Sequence, residues 1–366
     1  MLGEAIAAQL GMIPASIELG FRLLPTFDID PLEQNVNYAV AGAATGTVGA
    51  AGNNLQILPV GLQTQVEIFS LDLITAGALL VAADERPDII LSAGSNDVFE
   101  ALVDQPAFAN ILLSPETDDD SALMQKFVSQ IVGNIEQAIA RLEGLVDDVV
   151  ILGIPKLDAT PFAIQMDALV DDLLIGDFAG KTQTFLTATA TEVNAQLSKI
   201  YDGDSSPSTP LPLNIDPLLG ADVTSGTATL GHIFAALSDD LLAGGVTEQA
   251  VAFLKGRLTD RPEVLWPLPP APDPVANVMV IDGISIFETG VDRWQTSLPT
   301  SLSPIIDLSY QAYVTPLGSS NPDGLPAGLV VEQFAFIDGV HSTEAFNLEL
   351  APLIAAQIVA EFPDFG

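Results

Sequence analysis

Short apolar runs alternate with long segments of helical periodicity, and this alternation limits the chain to a small set of folds. Residues 88–93 read Asp88-Ile89-Ile90-Leu91-Ser92-Ala93, and a second strand is predicted over 147–153, around the apolar run Val149 to Leu152. Between them, Ala122 to Leu142 places Leu123, Phe127, Val128, Ile131, Ile135, Ala138 and Leu142 at helical spacing. A further strand is predicted near 36–41, and another at Val278-Met279-Val280-Ile281-Asp282. Helices are predicted at Leu2 to Leu10, in a stretch reaching about residue 83, around 162–175 and over 181–201. Parallel strands need a long crossover, and a helix of this length supplies one. The pattern therefore predicts an α/β protein with a parallel sheet.

Residues 202–276 break the alternation. They begin rich in Gly, Ser and Pro, allow two helices (227–243 and 247–258), and end in Pro262, Pro267, Pro269, Pro270, Pro272 and Pro274. This reads as a helical, proline-rich insertion with a semi-rigid arm, either a lid or a passive surface excursion. The organisation is thus 1–201 as the first part of the α/β domain, 202–276 as the insertion and 277–366 as the second part. Trp266 and Trp294 read as core residues, and His232 as an ordinary helix residue.

Composition excludes several functions. The chain carries 48 acidic against 11 basic residues, a net charge of −37. Such a surface repels phosphate backbones, so no nucleic-acid partner is expected. Its self-repulsion should ease as salt shortens the Debye length. No apolar stretch reaches the roughly 18 residues that a spanning helix requires, so no transmembrane segment is expected. There is no cysteine, which removes thiolate nucleophiles and thiolate metal sites. The two histidines, His232 and His341, are too few for a three-histidine zinc site. Acidic runs such as Asp118-Asp119-Asp120 lack the alternating spacing of a calcium loop. No cofactor and no metal is implied. Acidity without cysteine fits a halophilic cytosolic protein as well as a secreted one, and the reading taken is a bacterial extracellular or periplasmic protein.

Three polar stretches carry the remaining chemistry. Asp338 and His341 stand three apart around Gly339 and Val340, a spacing at which a carboxylate can reach the near ring nitrogen. That contact fixes the tautomer and leaves Nε2 as a base. The bland alternative is a turn before a helix from about Glu344, capped by Ser342 or Thr343. Gly94-Ser95-Asn96-Asp97 follows the run at 88–93, where an Asn amide at the carboxyl end of a strand can donate to an oxyanion. Its alternative is helix capping. Gly42 ends the apolar run from Val36 and enters a small-residue stretch, where a glycine lets its N–H approach a ligand closely. Gly-rich turns without ligands have the same appearance. There is no phosphate loop and no Gly-x-Ser-x-Gly elbow.

In this order, Asn37-Tyr38-Ala39-Val40-Ala41-Gly42-Ala43, Gly94-Ser95-Asn96-Asp97 and Phe336-Ile337-Asp338-Gly339-Val340-His341-Ser342-Thr343 resemble three of the four signature blocks of the SGNH (GDSL) esterase and lipase family. The segment Val149 to Pro161 resembles the stretch after the family's fourth strand, and Val278 to Asp282 the strand before its last block. The resemblance covers about residues 4–200 and 277–360. It implies a flavodoxin-like doubly wound parallel sheet and hydrolysis of carboxylic, lipid or other acyl, esters. By position, Gly42 and Asn96 would be oxyanion donors, Asp338 the orienting acid and His341 the base. Ala41 stands where the family often has Gly, and Ser342 where it usually has Pro.

The fourth block, Gly-Asp-Ser-Leu after the first strand, has no counterpart at the expected place. Gly3 to Gly11 resembles the family helix that lies after the nucleophile, so Met1 reads as falling inside the domain, with the first strand missing. The one Gly-Asp-Ser, Gly203-Asp204-Ser205, follows no apolar strand and reads as a solvated turn. The expectation is an esterase-type scaffold that is inactive as given. The alternative is a non-catalytic pseudo-hydrolase with a binding or structural role; an enzyme using another serine of the chain is a third reading.

Overall fold

A computed structural model describes residues 2–12, 43–46, 86–103, 122–173, 180–201, 227–228, 266–267, 277–298, 304–309 and 330–365, with isolated positions between 61 and 73 and between 109 and 112. Its centre is a parallel sheet of three strands, β1 (Ile89–Ser92), β2 (Asp148–Leu152) and β5 (Asn277–Ile281), in the order β1-β2-β5. The register is continuous, from Ile89 opposite Val149 to Leu152 opposite Ile281.

Successive side chains of a strand point to opposite faces, and both faces here are apolar. Ile89, Leu91, Val149, Ile151, Val278 and Val280 enter one core, whereas Ile90, Val150, Leu152, Met279 and Ile281 enter another. That is why these strands read as apolar runs rather than alternating ones.

Helices cover both faces. α2 (Ser95–Val103), α3 (Ala122–Leu142) and α5 (Lys181–Tyr201) close the first core with residues such as Val98, Ile131, Ile135 and Leu186. α1 (Leu2–Gln9), α6 (Gly283–Ser297) and α7 (Glu344–Glu361) close the second with Ile6, Phe287, Trp294, Phe346 and Ile354. Each such side chain contributes about 1.5–3 kcal/mol on full burial. Trp294 is thus the core residue its sequence context suggests. The buried stripe of α3 is wider than expected, because Met124, Val132 and Ile139 also face inward. α4 (Pro161–Leu173) follows the loop after β2 and lends Ala163 to the first core.

Several expectations need correction or fall elsewhere. Thr227–Ala228 is a short strand, β3, paired antiparallel with β4 (Trp266–Pro267), where a helix start was expected. Thr227 is β-branched and suits a strand, and the pair has a cross-strand partner in Trp266–Pro267. The rest of the 227–243 helix, the 247–258 helix and the proline-rich arm apart from Pro267 lie outside the described residues, as do the strand at 36–41 and His232. A second parallel pair, β6 (Ile305–Ser309) with β7 (Phe334–Phe336), was not anticipated. Among the described residues the central sheet has three strands, so the architecture is mixed α/β with a small parallel sheet. No helix among them is long and apolar enough to cross a membrane.

Candidate functional site

The three strands run parallel and in register, so the loops after β1, β2 and β5 leave from one edge of the sheet. Two polar linkages set the geometry there. Asn194 of α5, almost fully buried, accepts from Ile154 N at 2.7 Å and donates to Ile154 O at 2.9 Å and Asp282 Oδ1 at 3.0 Å. Asp282 in turn caps α6 by accepting from Ile284 N and Ser285 N. The side chain of one helix thus pins the ends of two neighbouring strands.

The turn between β7 and α7 carries Asp338 and His341. Ile337 N donates to His341 O at 2.8 Å, and Phe336 bridges Ser342, so the turn is closed at its base. Thr343 caps α7 by accepting from Phe346 N. His341 Nδ1 donates to Asp338 Oδ2 at 2.7 Å, within the range expected of an orienting pair. Asp338 Oδ1 accepts from Val340 N at 2.9 Å and from His341 N at 2.8 Å. The capping and pairing readings therefore coexist: Thr343 serves the helix, and Asp338 serves its own turn and the imidazole.

The carboxylate is held by three donors, and its acidity reflects them. Partial burial pulls the Asp338 pKa up, but the bonds from the His341 ring, His341 N and Val340 N outweigh it and hold it at about 2. The Asp338 hydrogen bond raises the His341 pKa above its ordinary 6.5, against a smaller opposing effect of burial. The imidazole remains 61 % exposed, so solvent screens much of this coupling. The signs differ for the two groups. The lowered Asp338 pKa stabilises the fold above the ordinary carboxylate range, and that contribution is lost as pH falls towards about 2. The raised His341 pKa stabilises it below 6.5, and that contribution is lost as pH rises through the raised value. In an NMR titration of the ring protons, His341 is expected to titrate above 6.5 in the native chain. In Asp338→Asn it should fall back towards the ordinary value; a midpoint that does not move would show that the carboxylate does not govern it.

Asn96 and Asp97 lie in the first turn of α2. Gly94 before them has φ +108°, and a Cβ there would lie 2.9 Å from Ile154 Cδ1, so only glycine fits this exit from β1. Both polar side chains reach a segment some fifty residues earlier. Asn96 Nδ2 donates to Ala43 O at 2.8 Å. Asp97, buried, accepts from Thr45 N at 3.1 and 2.9 Å and from Thr45 Oγ1 at 2.6 Å. Burial raises the Asp97 pKa, partly offset by the Thr45 bonds. Asn134 Nδ2 donates to Thr45 Oγ1 at 3.0 Å, and Gln63 Nε2 donates to Asn134 O. Gly42 lies outside the described residues; its neighbour Ala43 is the residue that Asn96 holds.

A short chain of contacts connects Asn96 to the His341 turn. Phe99, one helical turn after Asn96, meets Phe162 edge-on at 5.6 Å between ring centroids. Phe162 N donates to Gly339 O at 2.9 Å, inside the Asp338–His341 turn. Phe162 of α4 thus touches both the helix that carries Asn96 and the turn that carries His341.

Thr45, Asp97 and Asn194 were not singled out from the sequence. Asp97 sat in the Asn-Asp pair read as an oxyanion donor or a cap, and nothing local linked it to Thr45. Elsewhere, Asp88, Asp147 and Asp148 bring carboxylate oxygens within 4.8 Å of one another at the amino end of the sheet. A hard cation would suit such oxygens, but Asp88 already accepts from Asp148 N and Asp148 from the Asn277 amide. No protein-family model matches the chain, and a search of curated proteins finds no match.

Proposed function

We propose that the chain is the scaffold of an SGNH-type hydrolase of carboxylic, lipid or other acyl, esters, built on a doubly wound flavodoxin-like sheet. The observation that carries this reading is the 2.7 Å bond between His341 Nδ1 and Asp338 Oδ2, in a turn linked through Phe162 to the helix that carries Asn96. A carboxylate on Nδ1 fixes the tautomer with Nε2 basic, and the exposed ring can receive a proton there. One Asn96 N–H is committed to Ala43 O, and the second has no acceptor among the described residues.

In this reading a serine hydroxyl attacks the ester carbonyl while its proton passes to His341 Nε2. The developing oxyanion accepts from the Asn96 amide and the Gly42 N–H. Collapse expels the alcohol, which takes the proton from His341, and water then repeats the sequence on the acyl-serine. The nucleophilic serine is absent from this sequence at the matching block. Without it, Asp338 and His341 can polarise a bound hydroxyl but have no nucleophile to deliver. The second reading is a pseudo-hydrolase with a binding or structural role. An extracellular or periplasmic location rests on the acidity and the lack of cysteine alone.

The present chain is expected to show no turnover of short-chain acyl esters above background. Turnover that His341→Ala abolishes would reveal another serine acting within the chain. The hydrolase reading itself is tested on the DNA upstream of the Met1 codon. The expected result is an in-frame Gly-Asp-Ser after an apolar strand, with ester turnover by the extended protein that is lost on replacing that serine. An in-frame stop codon with no such block would sink the hydrolase reading and leave the binding protein.

A further inference from the structure

The buried carboxylate of Asp97 has no part in the proton transfers above, yet it makes the shortest bond to the 43–46 segment. Asn96 and Asp97, adjacent in the first turn of α2, grip two residues of that segment with opposite polarity. Asn96 donates to the carbonyl of Ala43 at 2.8 Å, and Asp97 accepts from the N–H and hydroxyl of Thr45. Thr45 is fully buried, and Asn134 of α3 holds its hydroxyl from the other side. The backbone around it is tied as well, by Leu62 N to Ala44 O at 2.8 Å and Gln63 N to Gly46 O at 3.1 Å. Ala43 O is thus an acceptor in a segment held at several points, and Asp97 is the charged group among those that hold it. A carboxamide with one N–H bonded to a fixed carbonyl loses rotation about its terminal torsion, which is otherwise broad. Its other N–H then has a defined direction.

We propose that Asp97 is a positioning residue which, through Thr45 and the 43–46 segment, locks the Asn96 carboxamide so that its second N–H is presented to a ligand's oxyanion. The proposal rests on the reading of Asn96 as an oxyanion donor, but its test needs no substrate. Failure of the clamp and failure of the hydrolase reading are therefore separate results.

The test is NMR of the full chain with ¹⁵N in asparagine, the Asn96 side-chain signals being assigned with Asn96→Ser. In the native chain the two Asn96 amide protons should be well separated in shift, with one exchanging slowly. In Asp97→Ala the separation should collapse and that proton should exchange faster, on the order of tenfold, as expected for losing one ordinary hydrogen bond. Asp97→Asn keeps an acceptor for Thr45 N and should restore part of the native separation. An Asp97→Ala protein with a lower melting temperature but native Asn96 signals, recorded well below that temperature, would overturn the proposal and leave Asp97 as a core anchor only. Should Asp97→Ala not fold, Thr45→Val decides the matter. It removes both bonds of the hydroxyl, the one donated to Asp97 and the one accepted from Asn134, while Thr45 N stays on Asp97, so faster Asn96 exchange supports the clamp and unchanged exchange overturns it.

Discussion

Gly283→Ala is expected to destabilise the protein by about 3 kcal/mol, at the upper end of overpacking costs. An added Cβ at Gly283 would lie 2.1 Å from Gly153 O and 2.7 Å from the carbonyl carbons of Gly153 and Ile154. All three atoms are backbone, so no side-chain rotation relieves the clash. The first turn of α6 would have to retreat from the loop after β2, which Gly153 N ties to Ile281 O at 2.8 Å. For a chain of 366 residues the melting temperature should drop by roughly 4 °C. Gly133→Ala is the control: it lies within α3, with nothing inside 4 Å of the added atom. There the helix preference for alanine should leave stability unchanged or slightly higher. Equal melting temperatures for the two variants would contradict the close approach of α6 to β2.

Asn194→Ala should cost a similar amount, about 3 kcal/mol, for a different reason. The side chain satisfies both backbone groups of Ile154 and one oxygen of Asp282. Truncation leaves the two Ile154 backbone groups without that partner, at about 1–3 kcal/mol each before relaxation, whereas the exposed Asp282 keeps its bonds to α6. Asn194→Asp should be no better, since it retains an acceptor for Ile154 N but turns a carboxylate towards Ile154 O and Asp282. Denaturant unfolding measures the loss, and hydrogen exchange at Ile154 N locates it. A loss below about 1 kcal/mol, or unchanged protection of that amide, would mean that water replaces the side chain.

What the sequence made legible follows from how each feature is encoded. α3 was readable to its ends because eighteen or more consecutive positions repeat one period against one core. β2 was readable because both its faces are buried, which leaves an uninterrupted apolar run. β6 and β7 were not. Asp307 interrupts the first, and the second is only three residues long, so neither carries a period. Thr227 and Ala228 were misread because two residues hold no pattern, and their strand partner lies almost forty residues on. In the site, the Asp338–His341 pair was legible from its spacing. Asn96 was legible as a polar residue past a strand, but the task of Asp97 was not, because no local rule connects it to Thr45.

The two halves of the candidate site therefore differ in how they come into being. The Asp338–His341 bond closes a loop of three residues, so little chain entropy opposes it, and the turn that holds it is complete within itself. The bonds of Asn96 and Asp97 span 53 and 52 residues and form only once β1, α2 and the 43–46 segment have met. An orienting pair so locally templated persists in a sequence at small cost, whether or not a nucleophile stands beside it. The long-range half makes the greater demand on the fold, and its survival says more about whether the edge of the sheet is kept for binding.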